Sequence, residues 1–305
     1  MKNISIGIFH DEELGRELGK PGTKSDIEMF NRKTQDCIYT FMSPVENKLK
    51  AKTEIMTTID VAIVSFKEMT PEVGETILML ESMGVEKGLL ISPYLPEEEI
   101  RKYVQNTCLN NYIITKRDKT DIMEILSKFS VERKEGEPVV IVDHSFSVKG
   151  VGEVVLGLVE RGTVRKHDKL FALPTGKEVT VRSIQMQDKD EEEAGPGSRV
   201  GLAIRGAKSE ELSRGTHICK KDVLVEKNFL LDFNKNKFYN FKEGKFHLTV
   251  GMQTVPVQVK EKSGFVEVNS DKKVAFSKDD RFVLIDLNAS EMHLIGSGLF
   301  RDLNN

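Results

Sequence analysis

The feature that most constrains this chain is the run from Phe146 to Leu170, FSVKGVGEVVLGLVERGTVRKHDKL. Apolar residues alternate there with polar or small ones, the two-residue period of a strand with one covered face. Glycines recur at Gly150, Gly152, Gly157 and Gly162. A glycine inside a strand marks a bend or the close approach of another backbone. A run that alternates, bends at glycines and turns at Lys166-His167-Asp168 is predicted to open a small, sharply curved β-barrel.

The residues on either side follow different rules. Before Gly136, apolar runs of strand length (Ile4–Phe9, Cys37–Met42, Val61–Phe66, Gly88–Ser92, Tyr112–Thr115) alternate with helical patterns. That order predicts an α/β layer with a mainly parallel sheet. Thr70-Pro71 is a helix N-cap and first-turn pair, and Val73, Ile77 and Leu80 share the face behind it. Ile100, Val104 and Cys108 line a second helix after the acidic start Pro96–Glu99, and Ile122, Ile125, Leu126 and Phe129 line a third. The polar stretch Lys134–Pro138 reads as a hinge. Beyond it the pattern is all strand, with turns at Pro174–Gly176 and Gly195–Gly197. After Asp222 a second β module follows, with strands at Phe246–Val250, Val255–Val259, Gly264–Val268 and Arg281–Ile285. The expected domains are therefore 1–136, an α/β layer, and 137–222 and 223–305, two β-barrels.

Composition narrows the function classes. A net charge of −3 excludes a chain that coats nucleic acid, so any RNA contact must be a local patch. The longest apolar runs are strand-sized, too short for a membrane-spanning helix, and the N-terminus lacks a signal peptide. Three scattered cysteines, Cys37, Cys108 and Cys219, fit a reduced, cytoplasmic protein without a disulfide framework.

The barrel from Val139 to Asp222 resembles domain 2 of the elongation factor Tu family of translational GTPases. The similarity is nearest to selenocysteine-specific elongation factors and their archaeal relatives. Besides the glycine run, the residues that carry it are Leu173–Val179, Val181–Gln185, Asp188–Asp190, Glu193–Leu202 and Arg214-Gly215. The last module resembles domain 3 at Val250–Pro256, Asp280–Leu284 and Ile295–Gly298. The resemblance implies a GTPase-like fold for 1–136 and a role in translation, with tRNA, the ribosome or another translation protein as partner. The chain ends soon after the third module, so a role in selenocysteine insertion is not expected.

The first domain departs from the family where nucleotide chemistry is carried. A phosphate loop needs G-x-x-x-x-G-K-[ST], whose amides and lysine wrap phosphates and whose hydroxyl ligates magnesium. Here Gly7 leads into His10-Asp11-Glu12-Glu13, and the next glycine, Gly15, precedes Arg16-Glu17. Three acidic side chains stand where amides would meet phosphate. Met42-Ser43-Pro44-Val45 replaces Asp-x-x-Gly, Ser92-Pro93-Tyr94-Leu95 replaces Asn-Lys-x-Asp, and Thr115-Lys116-Arg117 replaces Ser-Ala-Lys. The chain between Phe9 and Cys37 is also expected to be too short for a full switch I and its strand. A pseudo-GTPase follows, not an enzyme, with no catalytic residue and no cofactor. Gly19, Lys20, Gly22, Lys24 and Ser25 contain the right letters in the wrong order. They are expected to form a loop after a short helix ending near Gly19. Under the alternative of a divergent hydrolase they would form an altered phosphate loop, with Gly7 and Gly15, binding GTP and magnesium.

Other candidates are weighed against plainer readings. By resemblance, Asp143, His144 and Phe146 correspond to the surface that receives the aminoacyl end of tRNA, where an aromatic could stack on a base. The plainer reading puts Phe146 in the core and Asp143 and His144 on the rim. Glu153 and Leu156 replace residues of that surface. Asp188–Glu193 reads as a solvated loop rather than a metal site. The six histidines lie far apart, so no metal site is expected, and His10 beside Asp11 and Glu12 is a weak catalytic candidate. A protein-interaction scaffold remains a further alternative.

Overall fold

The computed structural model describes residues 2–220, 222–262 and 264–302. They form two compact units. The first runs to Val131 and takes in Lys235–Asn240 and Ile285–Ser297. The second holds Glu132–Asn234, Phe241–Leu284 and the residues from Gly298 on.

The first unit is built on strands β1 (Lys2–Phe9), β2 (Lys20–Lys24), β3 (Ile27–Lys33), β4 (Cys37–Pro44), β5 (Val61–Ser65), β6 (Gly88–Ile91) and β7 (Ile113–Thr115). Its helices are α1 (Glu12–Leu18), α2 (Leu49–Met56), α3 (Pro71–Met83), α4 (Glu97–Val104) and α5 (Lys119–Lys128). The sheet order is β2-β3-β4-β1-β5-β6-β7, parallel from β4 to β7 and antiparallel across β2, β3 and β4. β5 and β6 are buried along their whole length, as central parallel strands covered on both faces must be. Ile4, Ile6, Ile8, Phe41, Ile63 and Leu89 share one core with Ile122 and Leu126 of α5. Thr70 caps α3 by accepting from the Val73 amide, as expected. Glu75 of α3 accepts from the backbone amide of Leu294 at 3.0 Å and meets His293 Nδ1 at 3.1 Å, which ties Ile285–Ser297 to this helix.

Three expectations are corrected here. Gly19 does end α1, but Lys20–Lys24 is an edge strand, not a loop. Consequently Cys37–Pro44 is the fourth strand, and the segment thought too short for an extra strand supplies two. They fit because α1 has only 7 residues and the β2–β3 turn is tight. Cys108 is not on the α4 face. That helix stops at Val104, and Cys108 opens a 3-10 turn with its thiol 3.5 Å from the Val85 carbonyl.

The second unit carries two barrels. The first contains β8 (Val139–Val148), β9 (Gly152–Arg161), β10 (Val164–Arg165), β11 (Lys169–Leu173), β12 (Lys177–Met186), β13 (Lys189–Glu191), β14 (Glu193–Ala194), β15 (Arg199–Arg205) and β16 (His217–Cys219). The order β11-β16-β8-β9-β15-β12 closes through β11–β12 pairing into six strands. Asp188–Glu193, read as a loop, turns at Gln187-Asp188 and then pairs as β13 and β14. The charges stay exposed because only one edge of this hairpin is covered. Gly157 shows why glycine recurs: a Cβ there would stand 2.5 Å from the Ile141 carbonyl oxygen. The second barrel adds β17 (Leu224–Lys235), β18 (Gly244–Val250), β19 (Gln253–Lys262), β20 (Phe265–Phe276), β21 (Arg281–Ile285) and β22 (Leu294–Phe300), closed in the order β17-β20-β19-β18-β21-β22. Phe229, Phe276 and Phe282 pack with ring centroids 5.0–5.5 Å apart inside it.

Gly88 marks the tightest point of the parallel sheet. A Cβ would meet the Tyr112 ring at 2.2 Å and the Ala62 carbonyl at 2.3 Å, and Tyr112 is fixed by its hydroxyl donating to Val85 O at 2.6 Å. With backbone on one side and an anchored ring on the other, Gly88→Ala is expected to cost about 2–3 kcal/mol, read by urea unfolding; a loss below about 0.5 kcal/mol would contradict this packing.

Candidate functional site

In open α/β sheets, ligands enter at the carboxyl ends of parallel strands. Four such ends, those of β1, β4, β6 and β7, bear the segments compared above with the nucleotide motifs. The structure brings three of them into contact with one another or with α3. Asp11, just past β1, caps α1 by accepting from the Leu14 amide at 3.1 Å. Its other oxygen accepts from Ser65 Oγ at the end of β5, 3.2 Å away. Arg117, after β7, donates to Asp11 at 2.7 and 3.2 Å and to Glu17 of α1 at 2.8 and 3.1 Å. These bonds, Asp11 first, hold the Arg117 guanidinium still more firmly protonated than usual. A carboxylate of the chain itself therefore occupies the N-terminus of α1, where the helix favours negative charge.

His10 sits beside this pair in a left-handed conformation, φ 66°. Its Nε2 lies 2.8 Å from Thr76 Oγ1 and its Nδ1 is 3.2 Å from Asn47 Nδ2. Thr76 gives its hydroxyl proton to the Glu72 carbonyl and accepts from Lys52 Nζ at 3.1 Å, so it must accept from His10 Nε2 as well. Asn47 donates to His10 Nδ1 and also to the Glu72 carboxylate. The bond from Asn47 demands the neutral imidazole, because Nδ1 must accept while Nε2 carries the proton. Burial, and then the Lys52 charge, push its pKa down to about 4. Lys52 is itself 2% exposed, and burial lowers its pKa against the opposing pull of Glu72 and Glu75. These side chains form one connected hydrogen-bond network, within which Asn47 Oδ1 is buried without a partner. Ser92, after β6, only accepts from the amides of Tyr94 and Leu95 in its own turn.

The residues of the altered-loop alternative are not gathered there. Gly7 lies within β1 and Gly15 within α1 against the Phe30 ring. Lys20, Gly22 and Lys24 lie on β2, three strands and roughly 14 Å from β1. Lys24 pairs with Glu28 at 2.8 Å, and this bond, reinforced by Arg16, holds the Glu28 carboxyl below its usual range. Ser25 Oγ is spent on the Ile27 carbonyl and amide at 3.2 Å.

On the first barrel the plainer reading holds for His144 on the rim and is reversed for Asp143 and Phe146. Asp143 is buried at 4% exposure, whereas Phe146 is 36% exposed and His144 is exposed. The reason is a β-bulge: Val142 pairs with Gly157 and His144 with Leu156, so Asp143 is the extra residue. One inserted residue exchanges the two faces of a strand. Val140 and Val142 point into the core, and beyond the bulge His144 and Phe146 point out, their rings 5.8 Å apart. Asp143 is turned inward onto Arg199 at 3.5 Å and Arg214 at 3.7 Å. Glu153 accepts from Ser147 Oγ at 2.9 Å and the Ser209 amide at 2.8 Å, which keeps it ionised beside Phe146. No bulge is written in a periodicity, so sequence reasoning missed Asp143 as a buried ion-pair residue; the two arginines at 199 and 214 were its only trace.

A parallel α/β layer followed by two six-stranded barrels defines the architecture of a multidomain translation factor. The family model for elongation factor Tu domain 2 matches residues 152–219. The uncharacterized protein MJ0325 of Methanocaldococcus jannaschii is 34% identical over 98% of this chain and 99% of its own length. The selenocysteine-specific elongation factor of the same organism is 29% identical over 62% of this chain and 46% of that factor. The crystal structure of translation elongation factor SelB from Methanococcus maripaludis, in complex with the GTP analogue GPPNHP, superimposes with a TM-score of 0.84 at 22% identity, covering 99% of this chain and 79% of that one. The chain belongs to the elongation factor Tu and selenocysteine-specific factor-like family of translational GTPases. Among the described residues no helix is long and apolar enough to cross a membrane.

Two outcomes follow from this geometry. Asp143→Ala leaves Arg199 and Arg214 facing each other without their carboxylate and is expected to cost about 3–5 kcal/mol, whereas Phe146→Ala should stay within about 1 kcal/mol; equal losses in chemical denaturation would contradict the bulge. For His10 the folded pKa of about 4 lies below the ordinary value of 6.5, so the unfolded chain binds more protons between them. Stability should thus be complete above pH 6.5 and fall by up to about 3 kcal/mol as pH drops through 4, a slope that His10→Gln flattens.

Proposed function

We propose that this protein is a translation elongation factor relative that has given up the GTP switch and works by binding. Its α/β layer is a pseudo-GTPase with neither GTP nor magnesium as cofactor. Its first barrel contacts tRNA or the ribosome, in the cytoplasm. The observation that carries the reading is Asp11. A phosphate entering at α1 would have to displace this carboxylate from the Leu14 amide, Ser65 and Arg117, and would then meet Glu12 and Glu13. Each departure from a nucleotide motif removes a separate contribution to nucleotide binding. A cavity of this unit lies at the opposite, amino-terminal end of the strands, lined by Lys2, Ile4, Asp36 and Cys37. The rival phosphate loop at Gly19–Ser25 has Lys24 already engaged by Glu28.

For RNA contact the supporting feature is the exposed pair His144 and Phe146 on β8. Aromatic rings at a barrel surface stack on unpaired bases, each worth about 1–3 kcal/mol. The bulge that buries Asp143 is what presents them.

Calorimetric titration with GDP and a non-hydrolysable GTP analogue, with and without magnesium, tests the first half. No heat and no thermal stabilisation at millimolar nucleotide are expected; micromolar, guanine-selective binding would restore the switch. For the second half, Phe146→Ala should weaken tRNA or ribosome binding about tenfold or more. Capture of protein partners that survives nuclease, with RNA affinity unchanged in the variant, would favour the scaffold instead.

A further inference from the structure

Six histidines scattered along the chain offer no metal-binding spacing, yet the second unit assembles one where its two barrels meet. Glu160, His217 and Asp280 each present a ligand atom, and the three atoms lie within 4.8 Å of one another. Each is placed there by local structure. Glu160 is the extra residue of a second bulge, since Val139 pairs with Arg161 and Val140 with Val159, and the bulge re-aims its side chain. His217 stands in β16 between β8 and β11 and is completely buried. Asp280 closes a turn in which its Oδ2 accepts from the Ser277 amide at 2.8 Å.

The hydrogen-bond accounting is incomplete without another species. His217 Nδ1 lies 3.0 Å from the Gly215 carbonyl, which only accepts, so Nδ1 carries the proton. Nε2 of the neutral ring is then a lone pair, and it has no partner; nor has Glu160 Oε2. The other Glu160 oxygen faces Lys134 Nζ at 3.5 Å, and Lys134 is engaged more closely by Asp279 at 2.6 Å. Protonating Asp280 would supply one hydrogen for two unfilled acceptors. A divalent cation satisfies both at once and neutralises the paired carboxylates. A neutral imidazole with its Nδ1–H fixed on a backbone carbonyl is also the arrangement that orients a metal-binding histidine.

We propose that Glu160, His217 and Asp280 bind a first-row divalent cation, zinc foremost, that pins β9, β16 and the Ser277–Asp280 turn together. One nitrogen and two carboxylate oxygens form a donor set suited to zinc, with water as fourth ligand, and the imidazole disfavours magnesium and calcium. Ligand bonds of about 2.0–2.2 Å put tetrahedral donors about 3.3–3.6 Å apart, so the triad contracts slightly on loading. Burial presses the His217 pKa down, which keeps the ring ready as a ligand at neutral pH. The site is separate from Asp11 and independent of whether nucleotide binds.

The test uses the full chain, stripped with chelator and dialysed. Zinc chloride is titrated calorimetrically, and cobalt(II) is added for its visible absorption, with magnesium and calcium as comparisons. The expected result is one equivalent of zinc, a cobalt spectrum of a four- or five-coordinate nitrogen–oxygen site, and an unfolding temperature that rises with zinc. Affinity should fall at least about tenfold in His217→Gln and in Glu160→Gln, and remain unchanged in His167→Gln, an exposed histidine. Glu160→Gln, at a partly exposed position, keeps the test valid if His217→Gln does not fold. Absence of zinc uptake at millimolar concentration, or uptake that Glu160→Gln leaves intact, would overturn the site; the first result would leave a proton shared among the three groups.

Discussion

The carboxylate of Asp11 at the end of the central strand is the interaction on which the first unit depends. A parallel sheet gathers its carboxyl ends, and the amide groups of the following helix, into one polar crevice that something must satisfy. Here the chain does so from within. Asp11 takes the α1 amide, the β5 hydroxyl and the guanidinium that follows β7, tying three strand ends together. The neighbouring His10–Thr76–Lys52 network links the end of β1 to α2 and α3. A crevice filled by matched internal groups is costly to reopen, because a ligand must replace several buried, charge-assisted bonds at once.

The barrels show a second use of the same economy. Two single-residue bulges, at Asp143 on β8 and Glu160 on β9, interrupt one ladder, the first near its middle and the second at its end. The first turns an acid inward onto two arginines and sends an aromatic pair outward. The second aims an acid toward a buried histidine on β16, which lies on the far side of β8. Pairing register, rather than residue type, decides which side of the barrel each group serves.

Much of this was legible in the sequence. The glycine-marked alternation from Phe146 to Leu170 announced a curved barrel, because period and backbone freedom are local properties. Thr70-Pro71 announced the start of α3 and Gly19 the end of α1 for the same reason. The acids after Gly7 were legible as a cluster at the end of the first strand, where Asp11 caps α1. Lys20–Lys24 was misjudged because an exposed edge strand that contains Pro21 and Gly22 carries no apolar period. Its strand character comes only from pairing with β3. Cys108 was assigned to α4 because helical spacing continues numerically past the point where the helix ends.

By itself, then, the sequence determined the layer order and the two barrels, both of which rest on patterns within a few residues of one another. Only the tertiary structure decided that Arg117 reaches Asp11, that Phe146 faces out while Asp143 faces in, and that Glu160, His217 and Asp280 converge. Those facts depend on strand pairing and on contacts between residues 56 to 120 positions apart. A one-residue shift in register reverses them while leaving the local pattern unchanged.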